Sequence, residues 1–193
     1  MNAIIFSDLD RTIIPNGPQP ESPAARPLLR RLASEKGVKL VYVSGRSQGL
    51  IQEAIAEYEL PLPDFAVGDV GSAIYRVGSG GWERMRAWQR EIAVSWRGIT
   101  AVVAALAGLD FLTLQEAARQ SRFKLSYYMA VDGDHPALCG VIKKRLLDRN
   151  IRVAVISSID ESENKAFLDI LPVNATKLHA LRFLLNYQGI PAS

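Results

Sequence analysis

Three polar residues capable of chemistry stand at alternate positions near the start of the chain: Asp8, Asp10 and Thr12. They directly follow the apolar run from Ala3 to Phe6, which is typical of a strand buried on both faces of a parallel sheet. Open α/β folds place their chemistry at the carboxyl ends of such strands. Two carboxylates this close repel each other unless a cation lies between them or one of them holds a proton. The segment therefore predicts metal-assisted acid/base or nucleophilic chemistry.

The elements that must position these residues alternate between strand and helix. Ser22-Pro23 predicts the start of a helix that ends at Gly37 and turns Leu28, Leu29 and Leu32 inward. A strand at 38–43 and a second helix follow, the helix carrying apolar residues at helical spacing: Ile51, Ala54, Ile55 and Tyr58. Apolar runs at 65–67 and 73–77 extend the sheet or form a hairpin, and the glycine-rich segment 78–81 is the candidate hinge.

Beyond this hinge the pattern changes to that of a separate α+β region. The sequence predicts a long helix over about 85–106, strands at 111–114 and 123–131, a helix at 136–149, strands at 151–156 and 166–170, and a last helix at 177–187. Alternation in the strand at 123–131 places Lys124, Ser126 and Tyr128 on one face. We expect this face to be solvated and able to cover a ligand.

Composition limits the classes of function. The chain has 193 residues, 48% of them hydrophobic and 22% charged, with a net charge of +3, which suits one domain and a smaller second one. The basic residues are scattered among acids and no apolar run approaches the roughly 20 residues of a membrane span, so we expect neither nucleic-acid nor membrane binding. A single cysteine, Cys139, excludes an internal disulfide, and the start lacks the pattern of a signal peptide. We therefore expect a cytoplasmic protein.

Three motifs in this order resemble the haloacid dehalogenase (HAD) superfamily of phosphatases. They are the acidic segment at 8–12, Ser44-Gly45-Arg46 after the second predicted strand, and the segment at 169–172 with Lys177 five residues further on. Segments 70–75 and 123–128 resemble the sucrose-phosphate phosphatase branch, in which a cap domain is inserted between the second and third motifs. Mannosyl-phosphoglycerate phosphatases and phosphomannomutases are the nearest alternatives.

The resemblance implies a fold and an activity. The fold is α/β, with a Rossmann-like parallel-sheet core formed by residues 1–80 and 171–193 and an α+β cap formed by residues 81–170. The implied activity is Mg²⁺-dependent hydrolysis of a small-molecule sugar phosphate, with sucrose 6-phosphate as the first candidate.

The resemblance also implies residue roles. Asp8 attacks phosphorus and becomes an aspartyl-phosphate, while Asp10 acts as general acid and then as general base. Thr12, Ser44 and Lys177 bind the phosphate. Mg²⁺ is held by the carboxylate of Asp8 and the backbone carbonyl of Asp10.

Candidates for the substrate side are less specific. We place Arg46, Lys124, Ser126 and Tyr128 there, although a solvated sheet face explains the last three equally well. Ser44 could equally cap the following helix, and Lys177 could be an ordinary helix lysine.

One expected motif is missing from the sequence. The family continues after the lysine helix with a strand and a Gly-Asp-x-x-Asn-Asp segment that supplies a further metal ligand, whereas this sequence stops at Ser193. Asp69 is an acid near the same end of the sheet, but turns favour Asp beside Gly. We therefore expect a core that is incomplete at its C-terminus and weak or absent activity, or a non-catalytic sugar-phosphate-binding or regulatory domain. An exposed edge at Ala3–Phe6 would invite a homodimer or a completing partner.

Overall fold

The computed structural model describes residues 3–15, 22–160 and 164–190. The end of the chain at 191–193, on which the expectation of an incomplete core rests, lies outside these residues. The chain divides into two compact units, the first formed by Met1–Trp88 with Lys177–Ser193 and the second by Gln89–Thr176. We refer to them as the first and second units.

The first unit is built on a five-stranded sheet in the order β1-β2-β3-β4-β5. Its strands are β1 (Ala3–Ser7), β2 (Val38–Val43), β3 (Phe65–Gly68), β4 (Ala73–Gly78) and β5 (Gly81–Arg84). The first three strands are parallel, β4 runs antiparallel to β3, and β5 runs antiparallel to β4. Because Ser7 pairs with Tyr42, the residues that follow β1 and β2 emerge at the same end of the sheet.

Among the described residues, three α-helices belong wholly to the first unit: α1 (Ala25–Ser34), α2 (Gln48–Glu57) and, later in the chain, α6 (Lys177–Tyr187). The predicted inward face of α2 is confirmed, since Ile51, Ala54 and Ile55 are buried. The start of α6 at Lys177 is also confirmed. Helix α6 packs against the fully buried Trp88, whose ring centroid lies 5.1 Å from that of Phe183.

Helix α1 departs from the prediction. It begins at Ala25, with Ala24 at the N-cap, so Ser22 is not the cap. The backbone carbonyl of Ser22 accepts the Ala25 N–H at 3.1 Å. Leu28 and Leu32 are 46% and 39% exposed, so both were wrongly placed in the core. Leu29 is the predicted leucine that packs against the core.

The second unit contains a four-stranded antiparallel sheet in the order β6-β7-β9-β8. Its strands are β6 (Thr113–Leu114), β7 (Leu125–Met129), β8 (Val153–Asp160) and β9 (Lys165–Pro172). Helices α4 (Ile99–Leu106) and α5 (His135–Leu147) form an apolar core with one face of this sheet. Val102, Ile142 and Leu168 are fully buried there.

Two expectations about this region are wrong. The long helix over 85–106 is divided into α3 (Arg86–Ala93) and α4, because Gly98 has a left-handed conformation with φ 89° immediately before α4. The face of β7 that was expected to be solvated is closed at two positions: Lys124 is 7% exposed and Ser126 is fully buried. A hydrogen-bond network, described below, accounts for their burial.

The boundaries of the units also differ from the expected domain boundaries. Residues 81–88 were assigned to the insertion, yet β5 pairs with β4 in the first sheet. Residues 171–176 were assigned to the core, yet the end of β9 pairs with β8 in the second sheet, with Pro172 opposite Val153. The units therefore divide after Trp88 and after Thr176.

Strand β1 lies at an edge of the first sheet, since among the described residues it pairs with β2 alone. Ala3 is exposed and Ile4–Ser7 are half-buried. Association through this edge stays a prediction. Within the described ranges, no helix combines the length and apolarity that crossing a membrane requires.

Candidate active site

Asp8 directly follows β1 and accepts two hydrogen bonds through its carboxylate. Oδ1 accepts the N–H of Leu9 at 2.8 Å, and Oδ2 accepts from Nζ of Lys177 at 2.6 Å. Lys177 is the first residue of α6, 169 positions away in sequence. The side chains of Lys177 and Asp8 are 38% and 43% exposed, so the ion pair lies in an open site that a ligand can enter.

A tight loop follows Asp8 and holds the other two motif residues in place. The buried Leu9 offers its carbonyl to the N–H groups of Thr12 and Ile14, at 3.2 and 3.0 Å. Arg11 has a left-handed conformation with φ 59° and donates its N–H to the Ile14 carbonyl. Because Leu9 and Ile14 are anchored in the core, Asp10 and the exposed Thr12 remain on the accessible side of the loop.

Asp10 forms a bidentate ion pair with Arg46. Nη2 of Arg46 lies 2.7 Å from Oδ1, and Nε lies 3.1 Å from both carboxylate oxygens. The hydrogen bonds with Asp10 are the main cause that raises the pKa of the Arg46 guanidinium. A bidentate ion pair of this kind fixes the orientation of the guanidinium and the carboxylate, so each side chain positions the other.

The loop after β2 is anchored to β3 by a backbone hydrogen bond. Ser44 is fully buried, donates its N–H to the Val67 carbonyl at 2.8 Å and accepts the Arg46 N–H through Oγ at 3.1 Å. Ser44 therefore shapes the turn that carries Arg46 and does not cap α2, whose N-cap is Ser47.

A strained turn supports the same loop. The Arg46 carbonyl accepts the N–H of the buried Asp69 at 2.8 Å. Asp69 and Val70 both have left-handed conformations, with φ 49° and 61°, which is costly for a β-branched residue such as Val70. Gly68 allows the close approach, because a Cβ there would lie 2.9 Å from the Arg46 carbonyl oxygen. Asp69 thus supports the loop that carries Arg46 through its backbone N–H.

The residues at this site supply part of an oxygen ligand set for a metal. Across the part of the chain that the structure describes, no three His, Cys, Asp or Glu side chains form a group that could hold a metal ion. The carboxylate of Asp8 and the backbone carbonyl of Asp10 are nevertheless hard oxygen donors. Mg²⁺ commonly takes one or two carboxylates and completes its shell with water and substrate phosphate, so the residues present are compatible with it.

The second unit contains a buried hydrogen-bond network on the face of its sheet that carries Lys124 and Ser126. Lys124 donates from Nζ to Oγ of Ser126 at 2.9 Å, and Ser126 donates from Oγ to Oδ1 of Asp169 at 2.6 Å. Nζ of Lys124 lies 3.5 Å from the same carboxylate oxygen. Gln120 closes the network by accepting the Ser126 N–H at 2.8 Å. Lys124 and Ser126, which were predicted to share one face, thus both lie close to the Asp169 carboxylate.

The sequence also carries a signal that Asp169 needs a buried partner. It is the single charged residue in the apolar run from Ala166 to Pro172. An acid in such a strand requires a buried partner. Gln120 carries no comparable signal, because it lies outside the regular elements.

Tyr128 is placed on the same face of β7 but has a different partner. Its hydroxyl lies 2.9 and 3.0 Å from the two carboxylate oxygens of Glu116, an exposed residue that no sequence pattern marked. Hydrogen bonds from its own backbone and from Tyr128 lower the pKa of Glu116. The same contact raises the pKa of Tyr128.

Comparison with known proteins decides the family. The whole chain, residues 1–193, matches the family model described as sucrose-6F-phosphate phosphohydrolase. The chain belongs to this family. Members of the sucrose-phosphatase family are phosphoric monoester hydrolases of the HAD superfamily, so the predicted resemblance is confirmed.

Individual relatives agree with this placement. The chain is 48% identical over 192 residues to a HAD-like hydrolase of Nitrosococcus oceani, covering 98% of this chain and 52% of that protein. It is 30% identical over 184 residues to mannosylfructose-phosphate phosphatase of Agrobacterium fabrum, covering 94% of this chain and 68% of that protein. The chain therefore spans about half the length of the Nitrosococcus oceani relative.

The fold is shared with a solved member of the family. The structure of the sucrose-phosphatase from Synechocystis sp. PCC6803 in complex with sucrose and phosphate superimposes with a TM-score of 0.78 at 23% identity. The match covers 98% of this chain and 71% of that one. The predicted HAD-like α/β fold is confirmed by this likeness.

Proposed function

We propose that this protein hydrolyses the phosphate monoester of a disaccharide, with sucrose 6-phosphate as the first candidate, through an aspartyl-phosphate on Asp8. The observation that supports it most is the Asp8–Lys177 ion pair at 2.6 Å, directly after β1 in a chain that matches the family over its whole length. A carboxylate beside an ammonium group is positioned where a phosphoryl group and its charge can be received.

In the first step, a carboxylate oxygen of Asp8 attacks phosphorus. The bond between phosphorus and the sugar oxygen breaks, and Asp10 donates the proton that the departing sugar oxygen takes up. The products of this step are the free sugar and the aspartyl-phosphate.

In the second step, a water molecule attacks phosphorus. Asp10, now a carboxylate, accepts a proton from this water, and the bond between phosphorus and the Asp8 oxygen breaks. Inorganic phosphate leaves and the Asp8 carboxylate is regenerated. Asp10 thus serves as acid and then as base within one cycle.

The remaining residues act on charge and orientation. Lys177 offsets negative charge on the transferring group, and the hydroxyls of Thr12 and Ser44 hold phosphoryl oxygens. Because Ser44 is fully buried, its hydroxyl reaches a phosphoryl oxygen only after the loop that carries Arg46 moves. Mg²⁺, held by the Asp8 carboxylate and the Asp10 backbone carbonyl, would offset further negative charge on the phosphate when bound. Arg46 must leave Asp10 when that residue carries a proton, and an incoming phosphate is a suitable new acceptor for its guanidinium.

We further propose that the second unit acts as the cap and recognises the sugar. Lys124, Ser126 and Tyr128 are its candidate residues. The network through Asp169 holds Lys124 and Ser126 in one orientation, as substrate recognition requires.

The decisive experiment measures release of inorganic phosphate from a panel of substrates by the 193-residue chain, with Mg²⁺ and with chelator. The panel contains sucrose 6-phosphate, mannosylfructose phosphate, mannosyl-phosphoglycerate, trehalose 6-phosphate and mannose 6-phosphate. We expect magnesium-dependent release from one disaccharide phosphate and its loss in Asp8→Asn. The exposed Asp110→Asn is the matched control. Unchanged turnover in Asp8→Asn would refute the nucleophile assignment.

A second candidate function is binding of a sugar phosphate without turnover. It is favoured by the ion pairs themselves, because Arg46 neutralises the carboxylate of Asp10 and Lys177 neutralises that of Asp8. Its signature is binding of sucrose 6-phosphate that is unaffected by magnesium, with no phosphate released. Transfer of the phosphoryl group to a second hydroxyl, as in phosphomannomutases, would instead appear as an isomeric sugar phosphate.

A further inference from the structure

Trp88 is fully buried at the point where the chain leaves the first unit, and it contacts two different parts of that unit. Its indole N–H donates to the backbone carbonyl of Gly71 at 3.1 Å. Its ring packs on α6, with its centroid 5.4 Å from that of His179 and 5.1 Å from that of Phe183. Packing alone explains why a buried indole has an acceptor and neighbours. The positions of these partners indicate a further role.

The hydrogen bond to Gly71 restrains the turn that supports Arg46. Three successive residues of this turn have positive φ: Asp69 at 49°, Val70 at 61° and Gly71 at 109°. In residues other than glycine, such conformations persist only where the surrounding contacts impose them. At one end of the turn Asp69 donates its N–H to the Arg46 carbonyl at 2.8 Å, and at the other Gly71 accepts from Trp88. Loss of the indole N–H would therefore let the turn relax and move the backbone of Arg46.

The ring contacts restrain the start of α6. His179 and Phe183 are four residues apart and so lie on one face of the helix, which the ring of Trp88 covers. Lys177 is the first residue of the same helix and donates to the Asp8 carboxylate at 2.6 Å. Because a helix rises about 1.5 Å per residue, the first residue lies only about 3 Å along the axis from the third. A shift of α6 against Trp88 would therefore displace the Lys177 ammonium from Asp8.

One buried side chain thus contacts the supports of both cations of the site, Arg46 beside Asp10 and Lys177 beside Asp8. We propose that Trp88 is a positioning residue for phosphate transfer: its N–H fixes the turn that supports Arg46, and its ring fixes the helix that carries Lys177. Small displacements of such groups are costly, because the reaction depends on their alignment with the phosphate. The proposal rests on the proposed function for the roles of Arg46 and Lys177.

The first test needs no turnover. The carboxyl carbon signals of Asp8 and Asp10 and the Nε–H signal of Arg46 are recorded by NMR in the 193-residue chain. Trp88→Phe keeps a ring but removes the N–H, so the Arg46 and Asp10 signals should shift while that of Asp8 changes little. The Arg46 Nε–H should exchange with water about three- to tenfold faster, as for loss of one hydrogen bond. Phe183→Leu, which removes a ring contact on α6, should instead shift the Asp8 signal.

Trp96→Phe is the matched control. Trp96 lies in the second unit and also donates its indole N–H to a backbone carbonyl, that of Arg122, at 3.1 Å. Its replacement should leave all three signals unchanged.

Initial rates of phosphate release then separate the two supports in the reaction. Trp88→Phe should raise KM about three- to tenfold with kcat nearly unchanged, because Arg46 acts on binding. Phe183→Leu should lower kcat with little change in KM, because Lys177 acts on transition-state charge. The loss in kcat should reach at most about 10²-fold, the effect of a misplacement of about 1 Å.

The outcomes separate this proposal from the proposed function. If Trp88→Phe lowers the free energy of unfolding in urea but leaves the Arg46 and Asp10 signals and KM unchanged, Trp88 is a packing residue only. Equal shifts in Trp96→Phe would also overturn the proposal. Should Trp88→Phe not fold, Phe183→Leu decides, and an unchanged Asp8 signal refutes the positioning role. The expected shifts in a protein that releases phosphate from no sugar phosphate would support the positioning role and count against the proposed activity.

Discussion

Arg46 holds Asp10 in a two-pronged ion pair, with Nη2 2.7 Å from Oδ1 and Nε 3.1 Å from both carboxylate oxygens. Asp10 is the residue proposed to exchange protons with the sugar oxygen and with water. The guanidinium of Arg46 therefore occupies this carboxylate, and a phosphate that attracts Arg46 would free Asp10 to carry a proton.

Arg46→Lys tests the bidentate geometry of the ion pair with Asp10, because lysine keeps the positive charge but presents a single ammonium group. We expect the apparent affinity for the sugar phosphate to fall about tenfold and Arg46→Gln to lower it further, since the attraction for phosphate is lost with the charge. Initial rates against substrate concentration give KM and kcat separately. A Lys variant indistinguishable from the native protein would show that the bidentate geometry has no role.

Lys177→Ala is expected to affect activity far more than stability. Removal of one donor that stabilises transition-state charge typically costs about 10²–10³ in kcat. The ion pair with Asp8 is open to water on both sides, so its loss should change the free energy of unfolding by at most about 1 kcal/mol. Phosphate release and urea unfolding measure the two effects on the same sample. A stability loss that matched the loss of activity would reduce Lys177 to a structural residue.

The Lys124–Asp169 pair should behave in the opposite way. Both side chains are largely buried, so Lys124→Met leaves the Asp169 carboxylate without its cation and should cost about 2–4 kcal/mol in the free energy of unfolding. The double variant Lys124→Met/Asp169→Leu should cost less than the sum of the single variants, because it leaves no unpaired charge. Urea unfolding of the four proteins gives the coupling energy. Additive effects would contradict the network.

The hydrogen bond from the Tyr128 hydroxyl contributes to the lowered pKa of Glu116. Since the contact lowers the pKa of Glu116, its contribution to stability is complete above the pKa of Glu116 in the unfolded chain and is lost as pH falls through the lower folded value. Tyr128→Phe should therefore raise the pKa of Glu116 toward its ordinary range. Side-chain carboxyl NMR as a function of pH measures this directly. An unchanged titration of Glu116 would mean that the backbone hydrogen bond, the largest cause of the shift, acts alone.

The order of elements and the grouping of the candidate site residues were predicted from the sequence because they depend on local patterns. Asp8, Asp10 and Ser44 follow apolar strands, and parallel strands bring their carboxyl ends to one edge of a sheet whatever the rest of the chain does. The start of α6 at Lys177 was likewise visible in the periodicity. The family resemblance predicted Lys177 as a phosphate-binding residue, but its ion pair with Asp8 came from the structure alone, since the sequence does not say which distant lysine reaches the loop.

Only the tertiary structure decided which side chains pair with each other and where the two units begin and end. Alternation in β7 predicted that Lys124, Ser126 and Tyr128 share a face, but burial of two of them depends on Asp169 from β9, a contact 43 residues away. The division of the long helix depended on one glycine at φ 89°, and the unit boundaries depended on which sheets β5 and β9 join. Sequence patterns report the faces and order of elements, whereas charge pairing across elements is a property of their packing.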